Sequence, residues 1–179
     1  MALLENNNIL LRALEPEDLD ILYKWENDSS LWQYGVTITP YSKFALREYL
    51  SCSTQGIFQS HQLRLMMIEK ASGHTIGTID LYDFDPMNRR AGVGILLDPD
   101  YRRKGFGFQA LQLIKEYAFR FLSLKQLYAY VPKTNLQSYK LFQKSGYEES
   151  GLLKSWTKTE EGFADVYLMQ QLSSEKKPA

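Results

Sequence analysis

The stretch from Gly94 to Gly107 limits the folds open to this chain more than any other: Gly94-Ile95-Leu96-Leu97, then Asp98-Pro99-Asp100-Tyr101, then Arg102-Arg103-Lys104-Gly105-Phe106-Gly107. An apolar strand ends at a proline-containing turn, and three consecutive cations lead into Gly-x-Gly at the head of a long helical pattern. Glycine there allows backbone N–H groups to converge on one point, and the helix N-terminus adds partial positive charge. Arg and Lys at that end of a helix oppose its dipole by roughly 0.3–1 kcal/mol each unless an anion sits among them. The combination fits a pyrophosphate cradle, with Arg102, Arg103 and Lys104 adding side-chain contacts to the phosphates. The plainer alternative is a strand-to-helix turn whose cations are merely solvated.

On either side the hydrophobic pattern switches between strand and helix periods. Residues 8–13 read as a short strand. Glu15-Pro16-Glu17-Asp18 opens a helix that carries Leu19, Leu22 and Tyr23 to about Asn27, and Ser42 is placed to cap a second through Leu50. Strand-like runs at 62–69, 75–82 and 88–97 are joined by short polar turns, for which antiparallel pairing is the simplest arrangement. Residues 107–122 place Leu111, Ile114, Ala118 and Phe121 on one helical face, and 126–131 alternates as a strand. Asn135 can cap a helix ending before Gly146, and strands at 152–158 and 163–171 flank Thr159-Glu160-Glu161-Gly162. The order β-α-α-β-β-β-α-β-α-β-β predicts one α/β domain over residues 1–172, with a mixed sheet and a single central β-α-β crossover. Residues 173–179 read as a disordered tail.

Composition narrows the function. The 179 residues carry 21 basic and 21 acidic side chains, so no net field points to nucleic acid or an anionic membrane. That balance is uneven: residues 1–60 hold 4 basic and 8 acidic groups, whereas residues 86–125 hold 8 and 3. Such a division suits an anionic ligand in one place and a cationic one in another. One cysteine, Cys52, excludes an internal disulfide framework, and with only His61 and His74 beside it no metal site is expected. No apolar run approaches 18 residues and the first residues lack a leader pattern, so a soluble, cytoplasmic protein is expected. Gly105 to Ala110 also satisfies the loose G-x-G-x-x-G/A pattern. However, no acidic residue lies between Glu116 and Glu148 to hold a ribose, which counts against a nicotinamide-dependent oxidoreductase.

The central motifs resemble those of the GCN5-related N-acetyltransferases, in particular the branch of ribosomal-protein and spermidine acetyltransferases. The family's acetyl-CoA signature, (Gln/Arg)-x-x-Gly-x-(Gly/Ala), is matched by Arg102 to Gly107 after the stretch Leu96-Leu97-Asp98-Pro99. A second signature begins with Asn135 and ends in Gly146-Tyr147. Leu11 to Asp18, Trp25 to Asp28 and Phe163 to Met169 are similar to the same branch, so the resemblance spans about residues 8–171.

The resemblance implies a mostly antiparallel central sheet with flanking helices, whose fourth and fifth strands splay to admit the pantetheine arm of acetyl-CoA. Backbone groups of Ile95, Leu96 and Leu97 would pair with that arm, and an N–H near Leu97 would polarise the thioester carbonyl. Residues 102–107 with Phe108 would hold the pyrophosphate, Asn135 would face the cofactor or act as a plain helix cap, and Phe142 would lie near the sulfur. The acceptor would be a primary amine of a small molecule or a peptide, and a homodimer is an expectation carried over from relatives. Phe142 stands where many members have an acidic Tyr, and Gly92 where the spermidine enzymes have a Glu. Tyr139 is a candidate to replace the first. Asp80, Asp83 and Asp85 are candidates for the base, Asp80 sharing a strand face with Tyr82. Glu26, Asp28 and Trp25 would shape the acceptor pocket. A second function class remains open: a module of the same fold that binds acetyl-CoA without turnover.

Overall fold

The computed structural model describes residues 3–32, 39–52, 55–159 and 161–174. Its elements are β1 (Ile9–Arg12), a 3-10 turn (Pro16–Asp18), α1 (Leu19–Glu26), α2 (Ser29–Trp32), α3 (Lys43–Cys52), α4 (Ile57–Ser60), β2 (Leu63–Glu69), β3 (Thr75–Asp85) and β4 (Arg90–Leu97). A second 3-10 turn (Pro99–Tyr101) leads to α5 (Phe106–Glu116), a wider turn (Tyr117–Phe121), β5 (Gln126–Pro132), α6 (Leu136–Lys144), β6 (Glu148–Thr159) and β7 (Gly162–Leu172). The described strands form one sheet in the order β1-β2-β3-β4-β5-β7-β6. Its neighbours are antiparallel except β4 and β5, which run parallel because α5 carries the chain back to the same end of the sheet.

Alternation along each strand divides the sheet into two faces. Met67, Ile79, Val93 and Leu127 point to the larger core, which α5 covers with fully buried Ala110, Leu111 and Ile114. The opposite face carries a smaller cluster of Leu22 and Trp25 from α1, Leu50 from α3 and Met66 from β2. Arg12 at the end of β1 donates two hydrogen bonds, 2.6 and 2.8 Å, to the buried Asp18 carboxylate and so pins the start of α1 to the sheet.

Three sequence expectations change in detail. Phe121 is 68% exposed rather than part of the buried stripe. Leu122 N–H bonds to Tyr117 C=O, an i to i+5 step that inserts one extra residue and rotates Phe121 off the apolar face. The strand after Gly146 begins at Glu148, four residues earlier than the pattern suggested, because the chain pairs with β7 as soon as it leaves the turn. Ser173, read as part of the tail, is buried and its N–H donates to Lys125 C=O at 2.9 Å, while Glu160 of the final turn and residues 175–179 lie outside the described residues.

Asp98 joins the smaller cluster to the Arg102–Gly107 segment. One oxygen accepts the Asp100 N–H at 3.2 Å and caps the 3-10 turn, while the other accepts Trp25 Nε1 at 3.0 Å and Lys24 Nζ at 3.2 Å. Burial pushes the carboxyl up, but the Trp25, Asp100 and Lys24 donors outweigh it and hold Asp98 below the ordinary carboxylate range. A depressed folded-state value means that its contribution to stability is complete above the unfolded value, near ~3.9, and is lost as pH falls through the folded one. Asp98→Ala is expected to lower unfolding free energy by about 2–3 kcal/mol in urea at pH 7, with the gap from wild type narrowing below pH ~4.

Candidate active site

β4 and β5 pair only where Arg90, Ala91 and Gly92 face Gln126, Leu127 and Tyr128; beyond that rung they part. β4 is buried from Ala91 to Val93 and only half-buried from Gly94 to Leu97, as its neighbour leaves. At the last rung Tyr82 of β3 lies across β4, and a Cβ built on Gly92 would stand 2.2 Å from its Cε2. The phenol then faces the backbone N–H of Tyr130, just past the end of the ladder, and its ring meets Tyr128 edge-on at 6.0 Å. A side chain from β3 thus reaches across β4 to β5 where backbone pairing ends, and only glycine at 92 leaves room for it.

Backbone directions in the open part of β4 follow from one hydrogen bond. Asp98 N–H donates to Ile76 C=O at 2.9 Å, which makes Leu97 and Gly77 a non-hydrogen-bonded pair. Leu97 and Ile95 therefore turn their N–H and C=O groups away from β3, into the gap. The Leu97 carbonyl accepts Arg102 Nε at 3.1 Å, which leaves its N–H and both groups of Ile95 facing the space that β5 vacates. Leu96 differs from expectation: alternation turns its backbone into the β3 ladder, and its side chain packs with the Trp25 cluster. Its backbone groups are therefore not free to pair with a ligand arm.

Beyond Leu97 lies the segment read as a candidate cradle. Arg103 (φ 62°) and Gly105 (φ 84°) both adopt left-handed backbone, bending the loop sharply into α5. No side chain caps this helix, and its first internal bond is Gln109 N–H to Gly105 C=O, so the N–H groups of Phe106, Gly107 and Phe108 form its open first turn. At Gly107 a Cβ would lie 3.1 Å from both Leu97 Cδ1 and Leu141 Cδ2, which holds that first turn close against the end of β4. Arg102, Arg103 and Lys104 are exposed, whereas the Phe106 ring is buried in the core and only its backbone faces the loop. Phe108 is half-buried beneath Lys144 Nζ, 5.2 Å above its ring.

The other sheet face supplies a second, acidic locus. Arg64 of β2 donates from Nε to Asp80 Oδ1 at 2.7 Å and from Nη1 to Glu26 Oε1 at 2.8 Å, with the Tyr49 ring 5.6 Å from its guanidinium. Two carboxylates surround one cation, leaving a net negative charge. Burial pushes the Asp80 carboxyl up, partly countered by Arg64. Burial raises the Tyr82 phenol strongly and pushes Tyr128 up to about 12, so both stay protonated at neutral pH. Above Gly94 the nearest atoms to a hypothetical Cβ are Asp80 Oδ2 at 3.7 Å and Tyr82 Cε1 at 3.8 Å, so a floor without side chains separates the acid from the phenol.

Other sequence candidates settle elsewhere. Tyr139 donates to Glu149 Oε2 at 3.2 Å and packs on Tyr167 at 4.9 Å, on the core face opposite Asp80, so it does not join the candidate base. Asn135 caps α6 by accepting the Ser138 N–H at 3.1 Å. Phe142 is buried edge-on against Tyr147. Asp83 lies exposed where the register shifts, and Asp85 is engaged by Asn88 and Arg90 at the β3–β4 turn. Asp28 accepts from Ser30 at the start of α2, and Trp25 is core whose indole serves Asp98. His61 and His74 contact Phe84 C=O and Tyr101. Sequence reasoning assigned no role to Arg64, Tyr49 or Tyr82. Arg64 alone carried a signal, a cation at the same alternation as Met66 and Ile68 within an apolar strand.

Residues 8–148 match the family model for the acetyltransferase (GNAT) domain. An uncharacterized N-acetyltransferase, p20, of Bacillus licheniformis is 29% identical over 98% of both chains. Spermidine N(1)-acetyltransferase of Escherichia coli K12 is 29% identical over 82% of this chain and 76% of its own. The crystal structure of spermidine N-acetyltransferase from Vibrio cholerae in complex with CoA and spermine superposes with a TM-score of 0.84, at 26% identity, over 94% of this chain and 98% of that one. The chain belongs to the GNAT family of acetyltransferases, and its activity is acetyl-CoA-dependent N-acetylation of an amine.

Gly92→Ala is expected to lower stability by about 1–3 kcal/mol, because the new methyl group displaces the Tyr82 ring. Gly94→Ala, which meets only ordinary contacts, is expected to leave the melting temperature unchanged or raised; differential scanning calorimetry on both variants checks this.

Proposed function

We propose that the acceptor is a cationic primary amine, on a small molecule or a polypeptide N-terminus, that enters over Gly94 between Asp80 and Tyr82. The observation that carries the proposal is the fork: free β4 backbone groups lie between an uncapped, cation-flanked helix N-terminus and a net-negative cluster. An anionic cofactor suits the first end and an ammonium the second. The residues present fit acetyl-CoA, which when bound supplies the activated acetyl group. Arg102 to Lys104 and the N–H groups of Phe106 to Phe108 would hold the diphosphate. Ile95 would pair with the arm as an added strand. The Leu97 N–H would polarise the thioester carbonyl.

The acceptor ammonium, with pKa near ~10.4, must lose a proton before its nitrogen can attack. Asp80 would take that proton, directly or through one water, with Arg64 fixing the carboxylate in place. Burial raises its affinity for a proton above that of a surface carboxylate. Glu26 and the rings of Tyr49, Tyr82 and Tyr128 favour a cation by charge and by ring-face attraction. Relatives named for spermidine act on such a cation.

Purified protein with acetyl-CoA and a panel of polyamines, amino sugars, aminoglycosides and peptides should release free thiol only when an acceptor is present. Cofactor binding with no acceptor-dependent release across the panel would instead support the non-catalytic module. Reversing Arg102, Arg103 and Lys104 to Glu is expected to raise the acetyl-CoA Kd at least about tenfold by calorimetry. Asp80→Asn is expected to lower kcat by about 10² or more while leaving that Kd within about twofold. A kcat near wild type would remove Asp80 from the role of base.

A further inference from the structure

Tyr82 stands at the closed end of the fork and is held there from two sides. Its ring lies across β4: a Cβ on Gly92 would stand 2.2 Å from Cε2, and one on Gly94 would stand 3.8 Å from Cε1. The two glycines thus sit beside opposite edges of one ring. The hydroxyl faces the Tyr130 N–H of β5, just past the last β4–β5 rung at Gly92 and Tyr128. Tyr128 meets the ring edge-on at 6.0 Å, and Tyr130 meets Tyr128 at 5.6 Å, so three aromatic side chains crowd this level. A ring wedged over glycine and bonded across to the next strand is a fixed wall rather than a swinging side chain. Moving it would leave the Tyr130 N–H without that partner.

The wall bounds the space left for an acyl group. The open part of β4 runs from Gly94 to Leu97, with the cation-flanked N-terminus of α5 beyond its far end. A cofactor whose diphosphate lies at α5 threads its arm toward Gly92, and its acyl group comes last. The proposed acceptor nitrogen enters over Gly94, and attack requires the thioester carbon within about 3–3.5 Å of it. The substituent on that carbon then points onward along the gap, where Gly92 offers no side chain and the Tyr82 ring lies in its place. Asp80, on the same sheet face, is drawn the other way by Arg64 of β2 at 2.7 Å. A methyl group ends an acetyl chain at this point. Each added methylene must share space with a ring already set against both glycines.

We propose that Tyr82 sets the acyl-chain length of the donor, walling off the apex of the fork so that acetyl-CoA is accepted and longer acyl-CoA esters are rejected. The inference rests on the proposed function, with the cofactor along β4 and the acceptor entering over Gly94. Tyr82 acts through the bulk of its ring, and the hydroxyl serves to hold that ring against β5. Close-packed side chains take an extra methylene only by leaving their preferred rotamers or shifting backbone. Here the ring has backbone beneath it at Gly92 and another ring at its edge, so neither direction of retreat is open without loss.

Calorimetric binding of acetyl-CoA, propionyl-CoA and butyryl-CoA tests this without any acceptor. Wild type is expected to bind butyryl-CoA about tenfold or more weakly than acetyl-CoA, with propionyl-CoA between them. Tyr82→Ala is expected to narrow that ratio to within about threefold, whereas Tyr82→Phe, which keeps the ring, retains most of it. Where Tyr82→Ala does not fold, Tyr82→Leu repeats the comparison with less packing lost, and is expected to narrow the ratio by at least about threefold. The ratio does not depend on Asp80 being the base, so the two assignments can fail separately. Equal binding of the three esters by wild type, or a wild-type ratio in a folded Tyr82→Ala or Tyr82→Leu, overturns the role of Tyr82 and leaves N-acetylation untouched. Failure of wild type to bind any of the esters overturns the cofactor placement, and this inference with it.

Discussion

The working parts of this protein all follow from backbone pairing that β4 and β5 do not make. Parallel neighbours inside a sheet normally satisfy each other's N–H and C=O groups along their length. Here the ladder stops after three rungs, and the groups beyond must find other partners. Tyr82 meets one of them, the Tyr130 N–H, and Arg102 meets the Leu97 carbonyl. What is left on Ile95 and Leu97 is a short strand edge within the molecule, shielded from other proteins and open to a slender extended ligand.

Charge is arranged to make that opening directional. The basic middle of the chain contributes the cations flanking the α5 N-terminus, and the acidic first half contributes Glu26, on the same locus as Asp80. On the reading proposed above, an anionic cofactor and a cationic acceptor would be drawn to opposite ends of one strand, β4, and would meet where its side chains vanish at Gly92 and Gly94. Holding two reactants in line is itself a large share of the rate advantage in a bimolecular transfer. Asp98 keeps the geometry rigid by tying α1, which carries Glu26, to the turn that launches the cradle.

Much of this arrangement could be read from the chain alone, and the legible part shares one property: it is local. Whether Arg102 to Gly107 bends into a helix depends on residues a few positions apart, through glycine's backbone freedom and the periodicity of α5. The same holds for the antiparallel run β2-β3-β4 and the single parallel pair, because short turns force antiparallel neighbours and a helical crossover a parallel one, whereas the placing of β7 rather than β6 beside β5 is not written in any short segment.

Spacing within single segments was therefore enough to specify an α/β fold with one parallel crossover and, through the family resemblance its motifs carry, the class of reaction. Which side chains share the cleft was settled by packing in three dimensions. Arg64 joins Glu26 and Asp80 from a different strand, Tyr82 reaches β5 over a glycine, and Tyr139 is drawn by Glu149 and Tyr167 to the opposite face. Those partnerships depend on burial and on register between distant strands, and no spacing along the chain encodes them.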